Sequence, residues 1–314
     1  MLGLGLSLTI GRLKSSASAT AKIVNDFVAR VVADGGTVES PACLKASLTF
    51  LTNNPVPSAY DYLLDDYSGA AAAYSLRLLD STYSGDAIRV RRSSDNAEQN
   101  IGFVSNELDT ASLETFCSGT DGFVAIWYDQ SGNAANSAQV TATYQPKIVA
   151  SGSTITNGGK PSILIDQTNT LGLNIPISSA SNQDFFQVHK TNDDRFILLK
   201  DDNSGARYAY AAIDANTSTN LNASYGSPSL YVNSSIQSPA DRDALNTLLS
   251  TNSQILMSSI GGDSSAWTGD VIWGYYSSAN VYDGNVQEII FYNTDQSTNQ
   301  SGIETNINDH YSIY

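Results

Sequence analysis

The chain has 314 residues and a mass of 33.4 kDa, and its 31 acidic residues outnumber its 16 Lys and Arg residues, which gives a formal net charge of −15. A surface this acidic repels phosphate backbones and anionic lipids, so we expect neither nucleic-acid nor membrane binding. Hydrophobic residues make up 41% of the chain, enough for a sizeable core, and charged residues make up only 15%. The expected surface is therefore polar but weakly charged.

Cysteine and histidine are too scarce for several classes of site. Cys43 and Cys117 lie in different sequence contexts and form neither a disulfide scaffold nor a metal knuckle. His189 and His310 are the only histidines, which is too few for a histidine-rich catalytic metal site. The chain also lacks a Gly-x-Ser-x-Gly turn to present a nucleophilic serine. These observations argue against a metalloenzyme and against a serine hydrolase.

Residues 1–55 have the pattern of a separate module. The opening MLGLGLSLTI is apolar but short, and Arg12 and Lys14 follow it, so we expect an extended arm rather than a secretory signal. Apolar residues then recur at helical spacing over 23–32 and 43–51, which predicts two short amphipathic helices that need a partner surface. A polar linker around residues 52–58 follows. The predicted organisation is an attachment module at residues 1–55 and a second domain at residues 56–314.

From residue 56 the pattern changes to short strands separated by turn residues. Strands are predicted at 74–79, 87–91, 123–128, 162–166, 196–200, 208–213, 254–260, 271–276 and 286–292. Helices are predicted at 238–249 and 297–310, and no element is predicted in the polar run 187–194. Many short strands with few helices between them predict a mainly β domain of two packed antiparallel sheets.

A group of motifs in this domain resembles a known family. The motifs are the segments Tyr74–Leu79, Tyr83–Gly85, Arg89–Asp95 and Thr115–Cys117 and, above all, the sequence YDQSGN at Tyr128–Asn133. They resemble the catalytic domain of the arabinofuranosidase B family, which implies a concanavalin-like β-sandwich, or jelly roll. The end of the chain, residues 282–314, is similar to the last strand and closing helix of laminin-G-like and concanavalin A-like lectin modules, which are common on bacterial and phage surface proteins.

The resemblance also implies where catalytic carboxyl groups lie. The family has its proton donor on the aspartate of an Ile-Gly-Gly-Asp turn, which Asp263 reproduces, and its nucleophile on a glutamate in a mid-chain strand. At the best local match for that glutamate the chain has Ala215 or Asn216. Because a retaining glycosidase needs two carboxyl groups about 5 Å apart, the replacement predicts a protein that is not an enzyme. Asp214 or Asp201 substitutes for the glutamate if the register differs, and an ordinary turn role explains Asp263 equally well.

The disulfide that the resemblance implies is also altered. Its first half-cystine corresponds to Cys117, but Gly122 occupies the position of the partner. A lone cysteine suits a protein that folds in a reducing cytoplasm.

Aromatic residues are the candidates for contact with a glycan, because the apolar face of a sugar ring stacks on an aromatic ring. Trp127 and Tyr128 are neighbours on a predicted strand, so they point to opposite faces and at most one enters a cleft. Trp267 lies in the loop sequence SSAWTG and is expected to be exposed. Together with the carboxylates Asp129 and Asp263, these three residues form the predicted carbohydrate-binding set.

Charged clusters are weaker candidates. The acidic pairs at 65–66, 193–194 and 201–202 can supply oxygen ligands to calcium, but none has EF-hand spacing, and solvated loop charge explains them as well. We therefore expect no cofactor, with calcium left open. Arg89, Arg91 and Arg92 form a basic cluster that is expected to pair with nearby acids.

Taken together, these features predict a phage virion structural protein on the capsid or tail surface, made in the host cytoplasm. The segment Val32–Glu39 is similar to the N-terminal parts of tailed-phage structural proteins. Residues 1–55 are expected to bind other virion proteins, and the protein is expected to form a homo-oligomer. The sandwich decorates the particle or binds a host surface glycan during attachment. Two alternatives stay open: an active glycoside hydrolase of the arabinofuranosidase type, and a bacterial surface adhesin module.

Overall fold

The computed structural model describes residues 61–166, 173–191, 193–277 and 280–314. The attachment module predicted at residues 1–55 lies outside the described residues. In the described part strands predominate over helices, as the sequence predicts. No helix in that part is long and apolar enough to cross a bilayer.

The helices are α1 (Leu63–Asp66), α2 (Thr110–Phe116), α3 (Arg242–Leu249) and α4 (Gln300–Tyr311), with a 3₁₀ turn at Ala142–Tyr144. The strands are β1 (Ala72–Ser75), β2 (Ile88–Arg92), β3 (Glu98–Ile101), β4 (Phe103–Val104), β5 (Glu107–Leu108), β6 (Gly122–Trp127), β7 (Ser137–Ala138), β8 (Lys147–Ala150), β9 (Ser153–Thr154), β10 (Thr156–Asn157), β11 (Lys160–Pro161), β12 (Ile163–Ile165), β13 (Leu173–Ile175), β14 (Gln183–Thr191), β15 (Arg195–Asp201), β16 (Ser204–Ile213), β17 (Ser229–Val232), β18 (Ser235–Gln237), β19 (Ile255–Gly262), β20 (Val271–Trp273), β21 (Tyr275–Ser277), β22 (Asn280–Val281) and β23 (Gly284–Tyr292).

Two antiparallel sheets dominate the described residues. The larger has the order β18-β17-β19-β14-β23-β12-β8-β6-β2-β3, with β1 paired to β23. The smaller has the order β13-β20-β15-β16. Strands far apart in the chain are neighbours in both sheets, which is the arrangement expected of a sandwich and not of a simple meander.

Three contacts show how the sheets face each other. The ring of Phe185 in β14 lies 5.9 Å from that of Tyr210 in β16, and the Tyr210 hydroxyl hydrogen-bonds the Ser259 hydroxyl at 2.7 Å. Trp273 Nε1 in β20 donates to Gln187 Oε1 in β14 at 2.7 Å. The predicted antiparallel β-sandwich of jelly-roll type is therefore confirmed.

The outer face of the larger sheet is covered by helices. Leu63 of α1 and Ile303 and Ile307 of α4 pack with Phe186 and Ile290 of the central strands. Strands β14 and β23 are consequently buried on both sides.

Burial on both sides explains why β14 has no alternating sequence pattern. The polar run 187–194, in which no element was predicted, begins inside this strand. Gln187 and His189 are fully buried there, and Gln187 Nε2 donates to His189 Nδ1 at 2.9 Å, while His189 Nε2 has no hydrogen-bond partner among the described residues.

Smaller differences between prediction and structure have local causes. Helix α3 begins at Arg242 and not at 238, because Asp241 caps it by accepting the Ala244 N–H at 2.9 Å. The strand predicted at 271–276 is divided at Gly274, whose φ of +79° interrupts extended backbone.

Candidate active site

The Ile-Gly-Gly-Asp turn lies at the end of β19. Gly261 has a φ of +82°, and a Cβ on Gly262 would lie 2.5 Å from the Tyr225 ring, so the turn packs directly over that ring. Asp263 is half-buried, and its backbone N–H donates to the Tyr225 carbonyl at 3.1 Å. Its Oδ1 accepts the Ser265 N–H at 2.9 Å. Hydrogen bonds from the Ser265 side chain and backbone hold the pKa of Asp263 below its ordinary value.

A pair of carboxylates, Asp201 and Asp202, lies at the turn between β15 and β16. Asp201 is the last residue of β15 and is buried, whereas Asp202 is exposed. The Asp202 N–H donates to the Asp270 carbonyl at 2.9 Å, and Asn203 Nδ2 donates to the Thr268 carbonyl at 3.0 Å. The hairpin turn is thus bonded to the segment just before β20.

One loop connects these two places. Residues 263–270 leave β19 in the larger sheet and enter β20 in the smaller sheet, where Val271 pairs with Asp201. Asp263 begins this loop, and the hairpin turn that carries Asp202 is bonded to its other end. The loop at 263–270 therefore links the turn that carries Asp202, an exposed carboxylate, to Asp263, a half-buried one.

The sequence match at Ala215 and Asn216 is not part of this loop or turn. Both residues follow the ten-residue strand β16, and a strand of that length spans about 30 Å, so they lie at the end remote from Asp202. There the Ala215 N–H donates to Asp243 Oδ1 at 2.8 Å, and the Asp214 N–H donates to the Asp194 carbonyl at 2.7 Å. Of the two open substitutes, Asp214 is remote, and Asp201 lies at the turn with Asp202 as its exposed neighbour.

Trp267 lies in the loop at 263–270 but is not exposed, so the expectation from its sequence context is wrong. Its side chain is 3% exposed, its Nε1 donates to the Ser224 carbonyl at 2.6 Å, and its ring lies 5.4 Å from that of Tyr225. The indole fills the space beneath the loop, where it leaves no open ring face for a sugar.

Trp127 and Tyr128 point to opposite faces of the sheet, as strand alternation predicts. Trp127 is fully buried, with its ring 5.7 Å from that of Tyr74. Tyr128 is half-buried, and its hydroxyl donates to Asn100 Oδ1 at 3.0 Å. Trp127 is a core residue, and Tyr128 is the predicted aromatic that retains an accessible ring.

Asp129 organises the YDQSGN motif. Its buried carboxylate accepts the N–H groups of Ala73 at 2.8 Å, Ser131 at 2.9 Å and Ala135 at 3.0 Å, and the Ser131 hydroxyl at 2.7 Å. With these four donors engaged, Asp129 joins β1 to the loop after β6. Its role in the structure is to hold the backbone, and direct sugar binding is not what its contacts provide.

The remaining charged clusters form hydrogen bonds and ion pairs with nearby residues. Among the described residues, no group of three or more His, Cys, Asp or Glu side chains is placed to hold a metal ion. Asp193 is buried, and burial raises its pKa to about 6. In the basic cluster Arg92 pairs with Asp95 at 2.7 Å as expected, whereas Arg91 binds the amide oxygens of Gln145 and Asn96.

Cys117 is a buried free thiol close to Gly122. A Cβ at position 122 would lie 2.7 Å from Cys117 Sγ, so the two positions adjoin as the resemblance implies.

Comparison with known proteins points to one enzyme family. A model of the catalytic domain of α-L-arabinofuranosidase B matches residues 66–195. No curated protein matches the chain.

Three solved structures of arabinofuranosidases share the fold. One is a GH54 α-L-arabinofuranosidase soaked with a cyclic sulfate inhibitor, at 13% identity and a TM-score of 0.53. Another is an arabinofuranosidase complexed with arabinofuranosyl-α-1,2-xylobiose, at 15% identity and a TM-score of 0.52. In both comparisons the match covers 78% of this chain and 64% of the other. The third is a glutamate-to-glutamine variant of a GH54 enzyme soaked with 4-nitrophenyl α-L-arabinofuranoside.

These findings correct the functional prediction. The prediction of a non-catalytic phage virion protein is wrong, because the family model and the structural matches point to a glycoside hydrolase, which the sequence had supported only as an alternative. The resemblance to arabinofuranosidase B is confirmed, whereas the lectin and phage context finds no support. The described domain is thus similar in fold to GH54 arabinofuranosidases and carries carboxylates where its two sheets meet.

Proposed function

We propose that this protein is a glycoside hydrolase that removes α-L-arabinofuranosyl residues from a larger saccharide. The observation that supports this most directly is the match of an arabinofuranosidase B catalytic model to residues 66–195, in a chain whose fold resembles arabinofuranosidases over 78% of its length. Asp202 and Asp263 are the candidate carboxyl groups for this chemistry.

The two carboxyl groups differ in exposure. The Asp202 side chain is exposed and makes no hydrogen bond to the described residues, so its oxygens are free to attack. Asp263 is half-buried and fixed by Ser265. We assign Asp202 as the nucleophile because of its exposure, and Asp263 as the proton donor because it reproduces the Ile-Gly-Gly-Asp turn; the lowered pKa of Asp263 does not itself favour the protonated form.

The reaction then follows the two steps of a retaining glycosidase. An Asp202 oxygen forms a bond to the anomeric carbon while the glycosidic C–O bond breaks, and the leaving oxygen takes the proton of Asp263. In the second step water attacks the anomeric carbon, its proton passes to Asp263, and the bond to Asp202 breaks. Arabinose leaves with its original anomeric configuration.

The test is hydrolysis of 4-nitrophenyl α-L-arabinofuranoside by the full chain between pH 3 and pH 8. The release of nitrophenolate measures the rate. Wild-type protein is expected to turn over the substrate, and Asp202→Asn and Asp263→Asn are each expected to lower kcat by about 10²-fold or more. Asp214→Asn is the matched control, because Asp214 is an exposed carboxylate at the remote end of β16. It should retain wild-type activity.

Two results would refute the proposal. One is the absence of turnover by wild-type protein across the pH range. The other is full activity in both Asp202→Asn and Asp263→Asn, which would place the chemistry elsewhere.

A further inference from the structure

Asp201 is a buried carboxylate that binds two segments of the chain at once. Its side chain is 0% exposed. It accepts hydrogen bonds from Arg207 Nη1 at 2.8 Å and from the N–H groups of Asn203 at 3.0 Å, Thr268 at 3.1 Å and Gly269 at 2.9 Å. Arg207 and Asn203 belong to the hairpin, whereas Thr268 and Gly269 belong to the loop that begins at Asp263.

The electrostatics of Asp201 favour the ionised form. Burial alone works against the charge, but the hydrogen bonds from Arg207 and from three backbone amides outweigh it and leave the pKa of Asp201 lowered. Replacing the carboxylate by a neutral group would leave the guanidinium and the amides with weaker acceptors.

The loop lies against the hairpin without space for a side chain. A Cβ at Gly269 would lie 2.8 Å from the backbone nitrogen of Asn203 and 2.9 Å from Asp201 Oδ1. Both distances are below ordinary van der Waals contact, so any residue other than glycine would force the two segments apart. The hairpin and the loop are therefore held at a fixed and short separation.

Asp201 itself cannot meet a substrate, because it is buried and its oxygens are occupied. Its chain neighbour Asp202 is exposed, and the loop it holds begins at Asp263. Asp201 thus adjoins Asp202 in the chain and binds the far end of the loop that begins at Asp263.

We propose that Asp201 is a positioning residue, whose hydrogen bonds to Thr268 and Gly269 set the separation between the carboxyl groups of Asp202 and Asp263. This inference rests on the proposed function. It adds one requirement to the two-carboxylate chemistry: the hairpin and the loop must be held together by the Asp201 hydrogen bonds.

Kinetics of two different variants provide the first test. Asp201→Asn removes the charge, and Gly269→Ala separates the segments sterically without changing any carboxylate. Each is expected to lower kcat on 4-nitrophenyl α-L-arabinofuranoside about tenfold or more while KM changes by less than about threefold, because misplacement affects the reacting geometry more than substrate binding.

The comparison variant is Asp121→Asn, at a carboxylate whose side chain is 31% exposed. Asp121 also joins a cation and a backbone amide, Lys147 Nζ at 2.8 Å and the Ser151 N–H at 2.8 Å, but at the opposite end of β6 from Asp129. Its kcat should equal that of wild type. An equal fall of kcat in Asp121→Asn would show that the effect of Asp201→Asn is general destabilisation, and it would overturn the proposal.

Hydrogen exchange of the full chain provides a readout that does not depend on activity. In Asp201→Asn the amides of Thr268 and Gly269 should exchange faster, and in Asp121→Asn they should exchange at the wild-type rate. If wild-type protein hydrolyses no arabinofuranoside, the proposed function fails, while unchanged exchange at these amides would separately refute the lock. A third outcome is faster exchange at these amides with wild-type kcat in both Asp201→Asn and Gly269→Ala. It would show that the Asp201 hydrogen bonds join the hairpin to the loop but do not position the carboxyl groups, and it would overturn the proposal.

Discussion

Arg77 and Glu288 form a two-pronged ion pair inside the protein. Arg77 Nε lies 2.8 Å from Glu288 Oε2 and Arg77 Nη2 lies 2.9 Å from Oε1, with side chains only 3% and 0% exposed. Ser75 Oγ donates to Glu288 at 2.7 Å, and Arg77 Nη1 donates to Asn306 Oδ1 at 2.9 Å. The pair thus connects the end of β1, the central strand β23 and helix α4.

Glu288→Gln should destabilise the domain by about 3 to 5 kcal/mol, because it leaves a buried guanidinium without its counter-charge. The measurement is urea unfolding at pH 7. Lys160→Met is the comparison, since Lys160 pairs with Glu107 at 2.7 Å in a partly exposed position, where loss of the pair should cost at most about 1 kcal/mol. Equal losses in the two variants would contradict the prediction.

The two histidines should make the domain sensitive to acid. Burial lowers the pKa of His189 to about 3, and burial with the charges of Arg77 and Lys160 lowers that of His310 to about 2. Below the ordinary value of 6.5 the unfolded chain takes up protons that the folded state refuses, so stability falls as the pH falls. For each histidine the slope is about 1.4 kcal/mol per pH unit between 6.5 and its folded-state value.

His189→Asn isolates one of these contributions, because asparagine offers an acceptor to Gln187 and does not titrate. The difference in unfolding free energy between wild type and variant should change between pH 6.5 and pH 4 and stay constant above pH 7.5. Parallel stability curves over the whole range would show that folding does not change the pKa of His189.

Ser265→Ala should shift the pH dependence of hydrolysis under the proposed function. The Ser265 side chain is the main cause of the lowered pKa of Asp263, so its removal should raise that pKa. A proton donor with a higher pKa stays protonated to higher pH, and the alkaline limb of kcat/KM should move upward.

Ser297→Ala is the control for this shift. Asp295 and Ser297 repeat the same arrangement, with the Ser297 N–H donating to Asp295 Oδ1 at 2.8 Å and a similarly lowered pKa of Asp295. The control profile should coincide with that of wild type. If Ser265→Ala leaves the alkaline limb in place, Asp263 does not supply the proton.

Gly122→Cys should form a disulfide with Cys117. The new Cβ would lie 2.7 Å from Cys117 Sγ, which brings the two side chains together, and 3.0 Å from the Val149 Cβ, so Val149 must shift slightly to admit it. Closing so short a loop should stabilise the oxidised protein by about 2 kcal/mol. Thiol titration and unfolding with and without reductant measure the outcome, with the double variant Cys117→Ala/Gly122→Cys as control; an oxidised protein no more stable than its reduced form would be the contrary result.

Local sequence patterns predicted most of the sandwich. Strand β2 (Ile88–Arg92) alternates between apolar and polar residues, and β6 (Gly122–Trp127) is a short apolar run, so both were recognisable. Strand β14 was missed because helix α4 covers one of its faces and the smaller sheet the other, so that Gln187 and His189 occur where apolar residues are normally expected. The covering elements lie far away in sequence, and no local pattern contains them.

The site was harder to predict for the same reason. Asp263 was identified from its turn motif, whereas Asp202 was considered only as a member of an acidic cluster. Its relation to Asp263 depends on the pairing of β15 with β20, two strands some seventy residues apart in the chain. The available signal was a turn between two predicted strands that carries the acidic residue Asp202. Only the folded sheet relates this residue to Asp263.

Asp202 and Asp263 belong to different sheets, and this affects how the candidate site tolerates mutations elsewhere. Asp202 belongs to a hairpin of the smaller sheet, and Asp263 follows a strand of the larger one, so the gap between their carboxyl groups is measured across the sandwich. Phe185 and Tyr210 pack between the two sheets, so under the proposed function they also help to set the separation of these carboxyl groups. Under the proposed function, a conservative change of volume there is expected to alter the catalytic rate while the protein stays folded.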